Sequence, residues 1–253
     1  DTQVKTTNAT CMALATNQPI APTRNTEAMR EMNQEQPFLP VYNYAVVTDA
    51  VEGVILVNVN TLADGEFRNN KLRRKTFADG SDSWNPGGVL TGARHITLAG
   101  EVAYITADKG LVVVDLSDPA TPKVAAVREL RDARASAVQF RYLWVTTANG
   151  LELMDITNLA QPKAVPSATV SLADARRVYL ARTYAYVAAK SQGLVIVDIT
   201  APTRPSIYTS YTADGQLNDA EDVIVASTNA SLFAYVADGR NGMKVLQLTS
   251  PAS

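Results

Sequence analysis

Cysteine and histidine are nearly absent: Cys11 is the only cysteine and His95 the only histidine among 253 residues. A single thiol excludes an internal disulfide, and one thiol with one imidazole excludes a Cys/His zinc site and the Cys-x-x-Cys-His attachment of a c-type haem. No cofactor is expected. Excess charge of one sign is lacking too, since the formal net charge is −2. That leaves no electrostatic reason to expect nucleic acid or an anionic membrane as partner. No apolar run approaches the ~18 residues of a membrane-spanning helix, so direct membrane insertion is not expected. There is no initiator Met; the chain opens at Asp1, and prior removal of a leader is the expectation. Charged residues are 19% of the chain, below the quarter or so usual in globular domains. Cys11 lies in a polar N-terminal stretch, where it is a free thiol or, in an oxidising compartment, a link to another chain.

What is present is hydrophobic and repetitive. Hydrophobic residues make up 46% of the chain, enough to build the core of one large all-β domain or two smaller ones. The run Leu194-Val195-Ile196-Val197-Asp198 has near-copies in Leu111–Asp115 and Leu151–Asp155, and weaker ones in Val54–Asn58 and Met243–Gln247. Each is preceded by a glycine, at Gly53, Gly110, Gly150, Gly193 and Gly242, spaced by 57, 40, 43 and 49 residues. A word recurring at roughly 40–50 residues marks a propeller or solenoid unit.

The unit is clearest around the fourth copy. Short apolar segments at 177–181, 184–189, 194–199 and 206–211 are separated by turns, and Pro202 and Pro205 stay in a connection. These segments are β-branched or aromatic and bounded by turn residues, as strands should be. Four such strands make one antiparallel blade, and near-continuous apolar words fit strands covered on both faces by neighbouring blades. The acid that ends the word, followed by Ser or Thr two residues on, suits a turn held by its own side chain. Burial is expected at Leu111, Val113, Val145, Val187, Leu194 and Ile196. Residues 1–40 stand outside the repeat and read as a mostly irregular arm, with one short helix within 26–34 capped by Thr26 and ended by Pro37 and Pro40. Residues 60–89 form a longer connection, expected as a surface insertion, which carries the basic run Lys71–Lys75 and Trp84.

The repeated word closely resembles the LVIVD-repeat family of β-propeller proteins over about residues 42–250. The resemblance implies an all-β propeller of about five four-stranded blades at 41–253, complete or part of a larger ring. It also implies an extracytoplasmic place: secreted, periplasmic or on a prokaryotic cell surface. It implies no activity, because propellers host many unrelated functions.

A second word is more informative about function. Gly92-Ala93-Arg94 is followed by Asp132-Ala133-Arg134, Asp174-Ala175-Arg176 and Asp219-Ala220-Glu221, each just before the first strand of a blade. In a propeller that strand lines the central channel, so Arg94, Arg134 and Arg176 are expected around one mouth. A planar guanidinium suits carboxylate or phosphate ligands. The plainer reading, which is preferred, pairs each arginine with an acid of its own or the adjacent blade. Asp219, Glu221 and Asp222 form the one acidic cluster nearby, which could serve acid–base chemistry or calcium or form ordinary ion pairs. His95 adds a titratable group at the same mouth. No nucleophile elbow or triad accompanies it, and no catalytic residue is assigned. The triplets Asn8-Ala9-Thr10 and Asn229-Ala230-Ser231 fit glycosylation but are common by chance.

The favoured function is thus a non-enzymatic interaction module of an extracytoplasmic assembly, with other protein chains as partners. The alternatives are a small-molecule or carbohydrate-active propeller with its site at the channel mouth, and an accessory subunit of an electron-transfer complex. The ends break the pattern: the first copy lacks an innermost strand beside it, and the last stops at Thr249-Ser250-Pro251, where a fourth strand would begin. The arm, another chain or further parts of the precursor could fill these gaps. The polar arm reads as a poor buried strand, so the expectation is that both ends pack against other chains or further parts of the precursor.

Overall fold

Every glycine-led word becomes a strand, and each lies third in a separate antiparallel sheet. The computed structural model describes residues 3–15, 26–32, 39–62, 70–228 and 231–248. The expected end of the last repeat at Thr249-Ser250-Pro251, Pro37, and Asn229 and Ala230 of the second triplet lie outside them. Two compact units divide the chain, Asp1–Arg128 and Glu129–Ser253. The architecture is all-β, five propeller blades with few and short helices.

The first unit holds two blades. Blade 1 runs β1 (Ala9–Leu14), β2 (Tyr44–Asp49), β3 (Gly53–Asn58) and β4 (Arg73–Arg74); blade 2 runs β5 (His95–Ala99), β6 (Val102–Ala107), β7 (Gly110–Asp115) and β8 (Lys123–Arg128). The missing innermost strand of blade 1 is therefore supplied by the arm, through β1 pairing antiparallel with β2. In the remainder of the arm, α1 (Glu27–Glu31) starts at Thr26, whose Oγ1 accepts from the Met29 N–H at 3.3 Å. Within the long connection, Arg73–Arg74 pair with β3, and Trp84 exchanges two backbone hydrogen bonds with Val54. Phe77 is buried, and Trp84 packs against the core of the unit.

The second unit holds three blades. Blade 3 is β9 (Ala135–Gln139), β10 (Tyr142–Thr147), β11 (Gly150–Asp155) and β12 (Lys163–Ala164), with β13 (Val170–Ser171) also on β11. Blade 4 is β14 (Val178–Ala181), β15 (Tyr184–Ala188), β16 (Leu194–Asp198) and β17 (Ser206–Tyr211). Blade 5 has three strands among the described residues: β18 (Ala220–Ser227), β19 (Leu232–Asp238) and β20 (Gly242–Gln247).

Local chemistry explains the recurring spacing inside the word. Gly150 and Gly193 have φ of 120° and 71°, and a Cβ at either would overlap a carbonyl oxygen of the following strand, Val170 or Tyr211. Only glycine meets both demands. At the far end, the carboxylates of Asp115, Asp155 and Asp198 each accept from the backbone N–H two residues on, all at 2.8 Å. The strand is thus bent at both ends by its own residues.

Packing follows the alternation of the strand. The first and third positions of one word meet the second and fourth of the next: Val54 and Leu56 share a core with Val112 and Val114, and Leu151 and Leu153 share one with Val195 and Val197. Leu194 in turn packs with Val223, Val225, Ala234 and Val236 of blade 5. Leu111, Val113, Val145, Val187 and Leu194 are buried, as their pattern predicts. Ile196 is not: it is only half-buried. It shares the face of Leu194 and looks toward blade 5, which has no described fourth strand to extend cover that far outward.

Candidate functional site

The second repeated word places its charged residues at or just before the innermost strands β5, β9, β14 and β18. In the second unit, Arg134 is the centre of one charged cluster. Its Nε and Nη2 donate to Asp132 Oδ2 at 2.8 and 2.6 Å, and its Nη1 donates to the Ala175 carbonyl at 2.7 Å and to Asp174. Arg176 donates to the other oxygen of Asp174 at 3.1 Å. One guanidinium thus ties the loop before β9 to the loop before β14, with all three nitrogens of its planar fork engaged by protein groups.

The acidic residues are likewise engaged. Lys190 Nζ donates to Asp219 Oδ1 at 2.8 Å and to Glu221 Oε1. Those two carboxylates hold the ammonium in its charged form, Asp219 first and Glu221 next, so the lysine pKa is raised. Arg240 reaches the far side of Asp219 at 3.7 Å. Asp222 turns away to Arg177, also at 3.7 Å. Asp219 and Glu221 are therefore brought together around a cation, and Asp222 is not part of that pair. In the first unit, Arg94 Nη2 donates to Asp108 Oδ1 at 2.7 Å, and His95 begins β5 opposite Thr106. Among the described residues, no group of three or more His, Cys, Asp or Glu side chains could hold a metal ion.

Lys190, Asp108, Arg177 and Arg240 were not visible as partners in the sequence. Lys190 and Asp108 follow the second strand of their blades, a position with no common residue type in the repeat. Asp238 was missed as well. It is buried and takes four backbone N–H groups, from Asn218, Asp219, Arg240 and Asn241.

A different kind of surface lies on the outer face of blade 5. By strand register, Ile224 stands beside Tyr235, Tyr235 beside Val245, and Ala237 beside Met243. Ile224 is 55%, Met243 68% and Val245 52% exposed. A mainly apolar groove of about 230 Å³ runs along this face, lined by Ile224, Tyr235, Ala237 and Met243, with Asp222 and Val223 at its end. Exposed apolar side chains gathered in one row mark interaction sites more than singly scattered ones do. Another hollow, polar and open, lies between residues 3–7 and Arg73–Arg74, where Arg74 pairs with Glu52 at 2.6 Å.

The model of the LVIVD repeat matches residues 92–126, 131–169, 173–213 and 219–253. The chain belongs to the LVIVD repeat family. The four matched segments coincide with blades 2 to 5, and blade 1, with its arm-derived strand, is the divergent one. No curated protein matches the chain. Among solved structures, the computationally designed Ika8 protein is similar at 12% identity and a TM-score of 0.54, over 95% of this chain and 71% of that one. The extracellular domain of the putative hybrid two-component system BT4673 from B. thetaiotaomicron is similar at 12% identity and a TM-score of 0.51. That match covers 82% of this chain but only 26% of the other, so the LVIVD chain spans about a quarter of that relative. These likenesses concern the fold. Among the described residues, no helix is long and apolar enough to cross a membrane.

Proposed function

We propose that this LVIVD chain is a non-enzymatic interaction module of an extracytoplasmic assembly, and that it meets other protein through the outer face of blade 5. The exposed row of Ile224, Met243 and Val245 carries this reading. An exposed apolar row favours association, because covering it removes hydrocarbon from water. The charged residues near the innermost strands support the same reading. Arg134 and Lys190 are spent on neighbouring acids, so they serve to pin loops and offer little to a ligand. The extracytoplasmic part rests on the family resemblance and on the fold shared with one extracellular domain.

A photo-crosslinking amino acid at position 224, in the chain produced in its native cells, tests this. A control carries it at Lys123, an exposed position on β8. Crosslinks to protein from 224 and none from 123 are expected. Equal labelling from both positions, or none from 224, would refute the reading.

A further inference from the structure

The repeat states what kind of surface the open face of blade 5 accepts. Wherever the first and third word positions are covered within a unit, the cover is the opposite face of a neighbouring blade. Val54 and Leu56 take Val112 and Val114, and Leu151 and Leu153 take Val195 and Val197. Met243 and Val245 are the first and third positions of the last word, and they face outward. By internal homology, the matching surface is the second-and-fourth-position face of a blade of this same repeat.

Among the described residues of the first unit, blade 1 has such a face, open in part. In blade 1, Ile55 and Val57 are the second and fourth positions, and by register Met12, Leu14 and Val47 share their side of the sheet. Ile55 and Val57 are buried under Val4, Val59 and Leu72. Toward the inner edge the cover ends: Met12 is 57% and Leu14 47% exposed, and Val47 is half-buried. Innermost strands adjoin one another between neighbouring blades, as β1 does β5 and β14 does β18. The exposed part of blade 1 is therefore the part that an incoming innermost strand would touch, and Ile224 on β18 is exposed in the corresponding place.

We propose that the outer face of blade 5 in one copy docks on the Met12–Leu14 face of blade 1 in a second copy, head to tail. This rests on the reading of blade 5 as a protein-binding face and names its partner. The contact is heterologous, with different patches on the two sides. A blade 5 to blade 5 contact would instead join two like faces, which no covered pair within either unit does.

The test uses the purified full chain, with mass read by light scattering during size exclusion. Wild type is expected at twice the mass of one chain or more. Met12→Glu and Met243→Glu should each weaken self-association at least about tenfold, or ~1.4 kcal/mol. Mixed one to one they should associate again, because each retains the face that the other has lost. Circular dichroism and thermal unfolding report whether the variants stay folded, and Leu14→Lys with Ile224→Lys provides a second pair. A wild-type monomer overturns the proposal, as does a dimer broken by Met243→Glu and untouched by Met12→Glu. If purified wild type is monomeric while position 224 still crosslinks to protein in cells, the head-to-tail contact falls and the interaction reading stands. If neither is seen, both fall.

Discussion

At Asp238, four backbone N–H groups converge on one buried carboxylate: Asn218 and Asp219 on Oδ2 at 2.9 and 2.8 Å, Arg240 and Asn241 on Oδ1 at 2.9 Å each. Burial by itself pushes this carboxyl up, but the four donors outweigh it and hold the pKa at about 2. The unfolded value is near 3.9. A depressed folded pKa means that the stabilisation is complete above the unfolded value and is lost as pH falls from about 4 toward 2. Urea unfolding of the second unit should therefore shift to lower denaturant across that window, and Asp238→Asn should flatten the shift. Glu52 in the first unit, also held at about 2 chiefly by its hydrogen bond to Arg74, leaves the pH response of that unit in place. Asp238→Ala strands the four donors and should cost about 1–3 kcal/mol at neutral pH; an unchanged midpoint at pH 7 would count against this account. Arg134→Lys should cost about 1 kcal/mol, because one ammonium cannot reproduce a fork shared by Asp132, Asp174 and the Ala175 carbonyl. Arg134 was legible in the sequence because its word repeats. Asp238 was not: its counterpart at the second-strand end is an acid in blade 1, Asp49, but Ala107 and Thr147 in blades 2 and 3.

The strand is the scale at which this chain is easiest to read. The glycine before the word and the acid at its end are both local requirements, one set by positive φ and close backbone approach, the other by a side chain that accepts from the chain two residues on. Both survive repetition because they answer to backbone within the blade and not to the side chains of the neighbouring blade. Burial is different. Leu153 and Ile196 occupy the same word position in β11 and β16, yet Leu153 is buried against blade 4 while Ile196 remains half-open beside blade 5. Leu153→Ala should cost about 2–5 kcal/mol, the usual range for an emptied core site. Ile196→Ala should cost less, about 1–2 kcal/mol, because part of the deleted surface already meets water. Chemical denaturation of the two variants side by side decides it, and equal losses would show that exposure at 196 carries no energetic meaning. The sequence predicts burial at Ile196 because it reports periodicity, and periodicity is silent on whether the neighbouring blade is complete.

At the scale of the whole molecule, the arm poses the sharper question. Its Thr, Asn and Gln content reads as unsuited to a buried strand, yet β1 completes blade 1. The physical reason is that an innermost strand is an edge strand: β1 alternates exposed and half-buried residues, and none of its side chains is fully buried. Polar residues are then useful. Thr10 Oγ1 donates to the Ala93 carbonyl at 2.9 Å and lies 3.0 Å from Thr48 Oγ1, and the Asn8 N–H donates to Asp49 Oδ2 at 2.5 Å. Cys11 and Ala13 pack against the core shared by blades 1 and 2. The twenty-nine residues from Ala15 to Asn43 separate β1 from β2, so this closure pairs strands distant in sequence and gives no periodic signal. Deleting residues 1–15 should therefore act within the first unit. It exposes the edge of β2, strips a backbone donor from the buried carboxylate of Asp49 and uncovers the side of blade 1 held by Val4. Amide exchange at 45–49 should rise by at least about tenfold, the equivalent of ~1.4 kcal/mol of local stability, while exchange at 185–188 in β15 stays as it was. Protection at 45–49 that survives the deletion would mean that the arm decorates blade 1 and does not hold it together.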